Sequence, residues 1–215
     1  MLSIESYIKD YLEHNRDELE SHYSGISVQR LMQEFCDFEK VAPTDGFTKE
    51  HSAFFTELKL GKPLEYINQQ SHFYRSAFYV DERVLIPRSE TEILVENAVQ
   101  WINSQNNHKL SIAEVGVGSF CLGLSVLIDV EKDIKFWGGD ISHDALEVSK
   151  INLHRLQNKL SPKHEVLLEI SDRLEKAPKE LDLIISNPPY IKEKKDREGV
   201  HTQTCLLYTS PSPRD

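Results

Sequence analysis

The chain has 215 residues, with 35 Asp and Glu against 25 Lys and Arg. It is long enough for one or two domains with a sizeable core, two being the expectation, and a net charge of −10 gives no electrostatic footprint for tight nucleic-acid binding. No segment approaches the ~18 apolar residues of a membrane span, and Met1 to Glu20 is charged throughout, so neither a span nor a secretory signal is expected and the cytoplasm is.

In chain order, helical spacing comes first: Ile4, Ile8, Tyr11 and Leu12, then Val28, Leu31, Met32 and Phe35, then Phe54, Phe55, Leu58 and Leu60. Pro43 with Gly46, and Gly61 with Pro63, punctuate these runs. The reading is a small helical domain over residues 1–62. Residues 63–86 carry Phe73, Phe78 and Val80, large apolar residues set between polar ones, as expected of a β-hairpin linking two domains.

Residues 87–200 change character. Ser89 and Glu92 have the spacing of a helix-capping box. Leu110 to Val115 reads as a strand, the glycine turn Gly116-Val117-Gly118-Ser119 follows, and Cys121 to Ile128 is an apolar helix. The glycines let backbone approach a ligand closely. A second strand, Ile134 to Gly139, ends in Asp140, 22 residues after Gly118 and well placed to accept hydrogen bonds from a ribose diol. The chain has no phosphate-binding lysine of the P-loop type and no third glycine, so a nucleoside is expected in place of a polyphosphate. Glu114 beside the turn would repel phosphate but suits an ammonium or sulfonium group, and S-adenosylmethionine meets both conditions.

The apolar run Leu181-Asp182-Leu183-Ile184-Ile185-Ser186 suits a strand covered on both faces, and Asn187-Pro188-Pro189-Tyr190 follows directly. Two prolines stiffen this loop and remove two N–H donors, leaving carbonyl oxygens as acceptors. Asn187 adds a side-chain carbonyl and Tyr190 a flat ring, so the group that fits is a planar NH2 on a carbonyl or heteroaromatic carbon. Such nitrogens are poor nucleophiles. Acceptors gripping both N–H bonds would aim the lone pair at an electrophile, which is chemistry for group transfer to nitrogen.

From residue 60 to 195 the chain resembles the class I S-adenosylmethionine-dependent methyltransferases of the HemK type, which methylate the glutamine side-chain amide of peptide-chain release factors. The likeness rests on Gly61 to Ile67, Val84 to Glu92, Asp140 to Leu146 and Ile184 to Ile191, in the family's order and spacing. It implies an α/β, Rossmann-like methyltransferase sheet behind a small N-terminal helical domain. It also implies S-adenosylmethionine held by Glu114, Gly116, Val117, Gly118, Ser119, Phe120, Asp140, Asp172, Arg173 and Asn187, and a substrate glutamine held by Asn187, Pro188, Pro189 and Tyr190. A release factor is the implied partner, and a monomer the implied state.

Departures from the family's pattern bear on the site. Phe120 stands where relatives have a glycine, so its bulk has to avoid the cofactor and any positive-φ requirement. Asp172-Arg173 stands where relatives pair an acid with an aromatic, an arginine plane being the available substitute against adenine. Relatives continue with further strands after the substrate loop, so an incomplete sheet of about four strands plus the hairpin is expected, with residues 201–215 a non-native tail. Two other readings stand beside this one: N-methylation of a nucleobase amino group in DNA or rRNA, and a truncated, non-catalytic remnant. Cys36, Cys121 and Cys205 lack metal or redox spacing and the nine histidines form no ligand cluster, so no metal is expected.

Overall fold

The computed structural model describes residues 2–48 and 52–188. Pro189, Tyr190 and the tail expected over 201–215 lie outside the described residues. The chain forms two compact units: one runs up to Ser71 and includes Val80–Glu82, the other comprises His72–Tyr79 and the chain from Arg83 on.

The first unit is helical, with α1 (Ile4–His14), α2 (Arg16–His22), α3 (Val28–Glu39), α4 (Ser52–Lys59) and the short α5 (Leu64–Ile67). Ser3 and Ser27 start α1 and α3 by accepting hydrogen bonds from the N–H groups of Ser6 and Arg30. The helical spacing delivers its side chains to one core: Ile4, Ile8, Leu12, Leu31, Phe35, Phe54 and Leu58 are all buried. Phe35 meets Phe54 edge-on at 5.4 Å, a geometry worth about 0.5–1.5 kcal/mol beyond the area buried. Leu60 differs from expectation. Helix α4 ends at Lys59, the 3.6-residue period stops with it, and Leu60 is exposed.

A two-stranded hairpin of β1 (Ser71–Phe73) and β2 (Ser76–Phe78) comes next, lying in the second unit from His72 on. Four parallel strands follow, β3 (Lys109–Val115), β4 (Asp133–Asp140), β5 (Glu165–Ile170) and β6 (Leu183–Ser186), in the order β5-β4-β3-β6. With them stand α6 (Glu92–Ser104), α7 (Cys121–Asp129) and α8 (His143–Leu156). The core joins Ile112, Phe136 and Ile185 of the sheet to Val95 and Ile102 of α6, Leu124 and Leu127 of α7, Leu146 of α8, and Phe73 and Phe78 of the hairpin. This is the α/β fold with a parallel sheet, hairpin and N-terminal helices that the sequence leads one to expect.

The expected capping box does not form. Ser89–Thr91 is a 3-10 turn and α6 starts only at Glu92. The Glu92 carboxylate instead accepts from the Tyr74 N–H at the hairpin turn, 2.9 Å away, so it ties the hairpin to the sheet unit.

Strand order positions the site. After β5 the chain crosses to the far side of β3, so the order reverses between β3 and β6, and in open α/β sheets ligands bind at the carboxyl ends of strands beside such a reversal. Val115 lies opposite Gly139 on one side and Ser186 on the other. The next residues, Gly116, Asp140 and Asn187, therefore stand together at the carboxyl ends of β3, β4 and β6, Asp140 as the last residue of its strand.

Candidate functional site

Gly116 and Gly118 have φ of +73° and +52°, conformations in which an L side chain is strained. A Cβ at either position would meet nothing within 4 Å, so the turn presents bare backbone to open space. Beneath it, the N–H of Gly116 donates to the Gly139 carbonyl at 2.8 Å, and that of Phe120 to the Val117 carbonyl at 2.6 Å. Two carbonyls are drawn inward by α8: the Ser149 hydroxyl donates to the oxygen of Gly118 at 2.7 Å, and Asn152 Nδ2 to that of Ser119 at 2.8 Å. Asn152 is fully buried and also brackets the Tyr79 backbone, donating to its oxygen at 2.9 Å and accepting from its N–H at 2.7 Å.

Asp140 closes the other side of the turn. Its Oδ2 accepts from the Gly118 N–H at 3.0 Å and its Oδ1 from the Ser142 N–H at 2.9 Å, just before Ser142 caps α8. An ionised carboxylate offers roughly four lone-pair sites, so about two remain for a ribose diol. Bare turn and anchored acid together fit a nucleoside. The Val117 side chain faces inward, filling the space that the missing side chain of Gly138 leaves.

Glu114 and Phe120 do something other than face a ligand. Glu114 is 2% exposed, and its Oε2 accepts from the N–H of Gly123 at 3.1 Å. Helix α7 has no side-chain cap of its own at Phe120, so this carboxyl caps it from the neighbouring strand. Burial pushes the Glu114 carboxyl well above the usual carboxylate range, the Gly123 N–H opposes that shift, and nearby Asp140 adds to it. The attraction expected between Glu114 and a sulfonium group is therefore corrected: a buried carboxyl held high supplies a cap, not surface charge. Burial also pushes the Cys121 thiol up, to about 12.

Phe120 adopts φ of +64°, so the backbone keeps the left-handed conformation that a glycine would supply, at a cost of roughly 1–2 kcal/mol for a side chain. Its ring is fully buried, 5.3 Å from that of Phe136. Gly123 makes room for it, since a Cβ there would clash with Phe120, Glu114 and Phe136. The expected obstruction of the cofactor is thus absent: the side chain points into the core, and only its backbone borders the turn.

The loop after β5 approaches Asp140, because the N–H of Ser171 donates to the Asp140 carbonyl at 3.0 Å. Asp172 and Arg173 follow, both exposed and 3.8 Å apart as a surface ion pair. The structure leaves the Arg173 side chain in solvent, so the stacking platform is not assembled.

At the end of β6, the Ser186 hydroxyl donates to the Val115 carbonyl at 2.8 Å, locking the strand end to β3. Half-buried Asn187 directs its Nδ2 to the Thr91 hydroxyl oxygen at 3.1 Å, and Pro188 is exposed beyond it. Thr91, Ser149, Asn152 and Ser186 carry no role in the sequence reading. Ser149 and Asn152 had a signal, as polar residues inside the buried stripe of α8. Among the described residues no group of His, Cys, Asp and Glu could hold a metal ion, and no helix is long and apolar enough to cross a membrane.

Comparison with known proteins agrees with this layout. A protein named release factor glutamine methyltransferase from Leptospira interrogans is 40% identical over 165 residues, covering 74% of this chain and 56% of that protein. Proteins of the same name from Clostridium acetobutylicum and Streptococcus pneumoniae are 37% and 34% identical over 148 and 182 residues, covering 67% and 82% of this chain and 50% and 60% of theirs. The chain thus spans about half the length of the curated relatives it matches. The model of the methyltransferase small domain matches residues 90–206, more than half of the chain and all of the sheet just described. The glycine turn, the anchored acid beside it and the strand reversal between β3 and β6 therefore have a family: the chain belongs to the methyltransferase small domain proteins.

Proposed function

We propose that this chain belongs to an S-adenosylmethionine-dependent methyltransferase that acts in the cytoplasm, as a monomer, on the side-chain amide nitrogen of a glutamine in peptide-chain release factors. The observation that carries the reading is the meeting, at the carboxyl ends of β3, β4 and β6, of a bare glycine turn braced by Asp140 with the start of the Asn187-Pro188 loop. The names of the relatives support the substrate.

When bound, the cofactor supplies an electrophilic methyl group on a sulfonium sulfur. The turn from Gly116 to Ser119 would hold it against backbone, and Asp140 would accept hydrogen bonds from its ribose hydroxyls. Asn187 and the loop that follows it would accept the two N–H bonds of the substrate amide and so aim its lone pair. Once methylated, the nitrogen carries a proton acidic enough to leave to solvent, so the site has no need of a strong base or a metal.

Methyl transfer from labelled cofactor to a release factor, a ribosomal protein and rRNA or DNA, run side by side, tests the proposal. Preferential labelling of the release factor on the glutamine of a Gly-Gly-Gln sequence is expected. Preferential labelling of nucleic acid overturns the substrate, and no labelling of any of them favours a non-catalytic chain.

A further inference from the structure

We infer that Asn152 couples the glycine turn to the joint between the two units, so that a nucleoside cofactor held over the turn also steadies Tyr79, the last residue before the chain passes into the first unit. The inference rests on the reading of the turn as the seat of the cofactor.

Asn152 lies within α8 and is wholly buried. Its Nδ2 donates to the Ser119 oxygen at 2.8 Å and to the Tyr79 oxygen at 2.9 Å, and its Oδ1 accepts from the Tyr79 N–H at 2.7 Å. Carbonyl oxygens only accept and a backbone N–H only donates, so these partners admit one facing of the amide. Half a turn would set like against like at all three contacts. Both donors are spent, and a planar group held at three points cannot follow one partner without straining its bond to the other.

Each end of this bridge is fixed on its far side. The turn is tied to α8 a second time, by the Ser149 hydroxyl on the Gly118 oxygen, and to Asp140 by the Gly118 N–H. Val80, next after Tyr79, belongs to the first unit, as does Glu82, which pairs with Lys62 at 3.1 Å. A displacement of Ser119 or of Tyr79 therefore reaches the other through one buried side chain. A ligand that binds only the closed turn suppresses every opening that includes the turn, by a factor of 1 + [L]/Kd. Linkage makes the effect mutual: whatever steadies Tyr79, a protein bound to the first unit included, tightens cofactor binding by the same factor.

Hydrogen exchange of the full chain, read amide by amide by NMR without and with S-adenosylhomocysteine at about ten times its Kd, tests the coupling. The Gly118 amide reports occupancy of the turn. The Tyr74 amide, bonded to Glu92 at the hairpin turn, reports hairpin openings that do not pass through Asn152. Tyr79 is expected to slow by about 5-fold or more, under a linkage ceiling of about 11-fold at that ligand level, and Tyr74 by less than about twofold. In Asn152→Ala the Gly118 amide should still respond to S-adenosylhomocysteine and the Tyr79 amide should not. Slowing at Gly118 with none at Tyr79 overturns the inference. So does equal slowing at Tyr74, which would be general stabilisation, and so does a Tyr79 response that survives in Asn152→Ala. The comparison within the parent chain decides by itself should the variant not fold. No slowing at Gly118 or anywhere else in the turn sinks the cofactor reading and the inference with it, an outcome that the Gly118 amide keeps separate from a failure of the coupling alone.

Discussion

Glu114 on β3 caps helix α7 from outside the helix, its Oε2 accepting the N–H of Gly123 at 3.1 Å with the side chain almost wholly buried. Burial holds this carboxyl in its protonated form far above the pH at which it would ionise in an unfolded chain. The folded state therefore binds a proton that the unfolded state releases. Stability from this group is fully present below the ordinary carboxylate pKa and is lost as pH rises from there toward the raised folded value, by up to about 1.4 kcal/mol per pH unit. Glu114→Gln keeps the acceptor and removes the titration. Urea melts from pH 5 to pH 8 are expected to show a loss of stability in the parent chain that is smaller in the variant; parallel curves for the two proteins would assign the slope to other groups.

Phe120 gives a prediction of opposite sign to the one its sequence position invites. Replacing it with glycine relieves roughly 1–2 kcal/mol of left-handed strain. It also removes a fully buried ring from against Phe136 and beside Gly123, and emptying such a site typically costs about 3–5 kcal/mol. The cavity is the larger effect. Phe120→Gly is expected to lower Tm clearly while changing cofactor affinity little, because the ring does not border the turn. A gain in affinity by calorimetry, without loss of Tm, would place the ring in the cofactor's space after all.

These two residues mark where sequence reasoning stops. The strand, turn and helix around Gly116, the acid at Asp140 and the strand before Asn187 are legible because period, glycine and spacing are local properties. Which way a side chain leaves the backbone is not. Glu114 and Phe120 stand within the motif, yet both turn into the core, and the residue that admits them is Gly123, whose importance appears only once Glu114, Phe120 and Phe136 are seen to converge on it. Thr91 is hidden for a related reason: its partner lies 96 positions away. Leu60 failed differently, since the pattern outran the helix that carried it.

Asp140 serves two backbone amides as well as the proposed ribose, and this sets the size of its effect. Asp140→Ala leaves the N–H groups of Gly118 and Ser142 without their acceptor and removes the ribose contact. Loss of about 1–3 kcal/mol in S-adenosylmethionine affinity is expected, the range for a charged acceptor. Titration calorimetry on the two proteins checks it. Equal affinity would mean that the ribose lies elsewhere.

Asn152 is the buried brace of the turn, with one side chain serving the oxygens of Ser119 and Tyr79 and the N–H of Tyr79. Asn152→Leu removes the side-chain partner of the buried Ser119 oxygen and of the half-buried N–H and oxygen of Tyr79, and a buried group that loses its partner costs about 1–3 kcal/mol, so a substantial drop in Tm is expected. Asn152→Asp keeps the acceptor for the Tyr79 N–H but sets a buried carboxylate oxygen against the Ser119 and Tyr79 carbonyl oxygens, so it should melt well below the parent chain at neutral pH. If Asn152→Asp melted like the parent chain, the bonds to Tyr79 and Ser119 oxygens would be of little consequence to the fold.

Asn187 is expected to separate binding from turnover. It stands at the end of β6, where the backbone is already fixed by the ladder to β3 and by the Ser186 hydroxyl on Val115, so Asn187→Ala removes no strand pairing. The glycine turn and Asp140 keep every hydrogen bond described for them, and cofactor affinity should stay within about threefold of the parent, under 1 kcal/mol by the usual conversion. Transfer to glutamine is another matter, since the amide nitrogen is a nucleophile only when its lone pair is aimed. Losing one preorganised polar contact of this kind lowers turnover by about 100-fold or more. Single-turnover methylation of a release factor, with cofactor saturating, measures that step directly. A variant that binds cofactor poorly and, once cofactor is saturating, transfers at the parent rate would make Asn187 part of the cofactor site and leave the substrate amide to be held by something else.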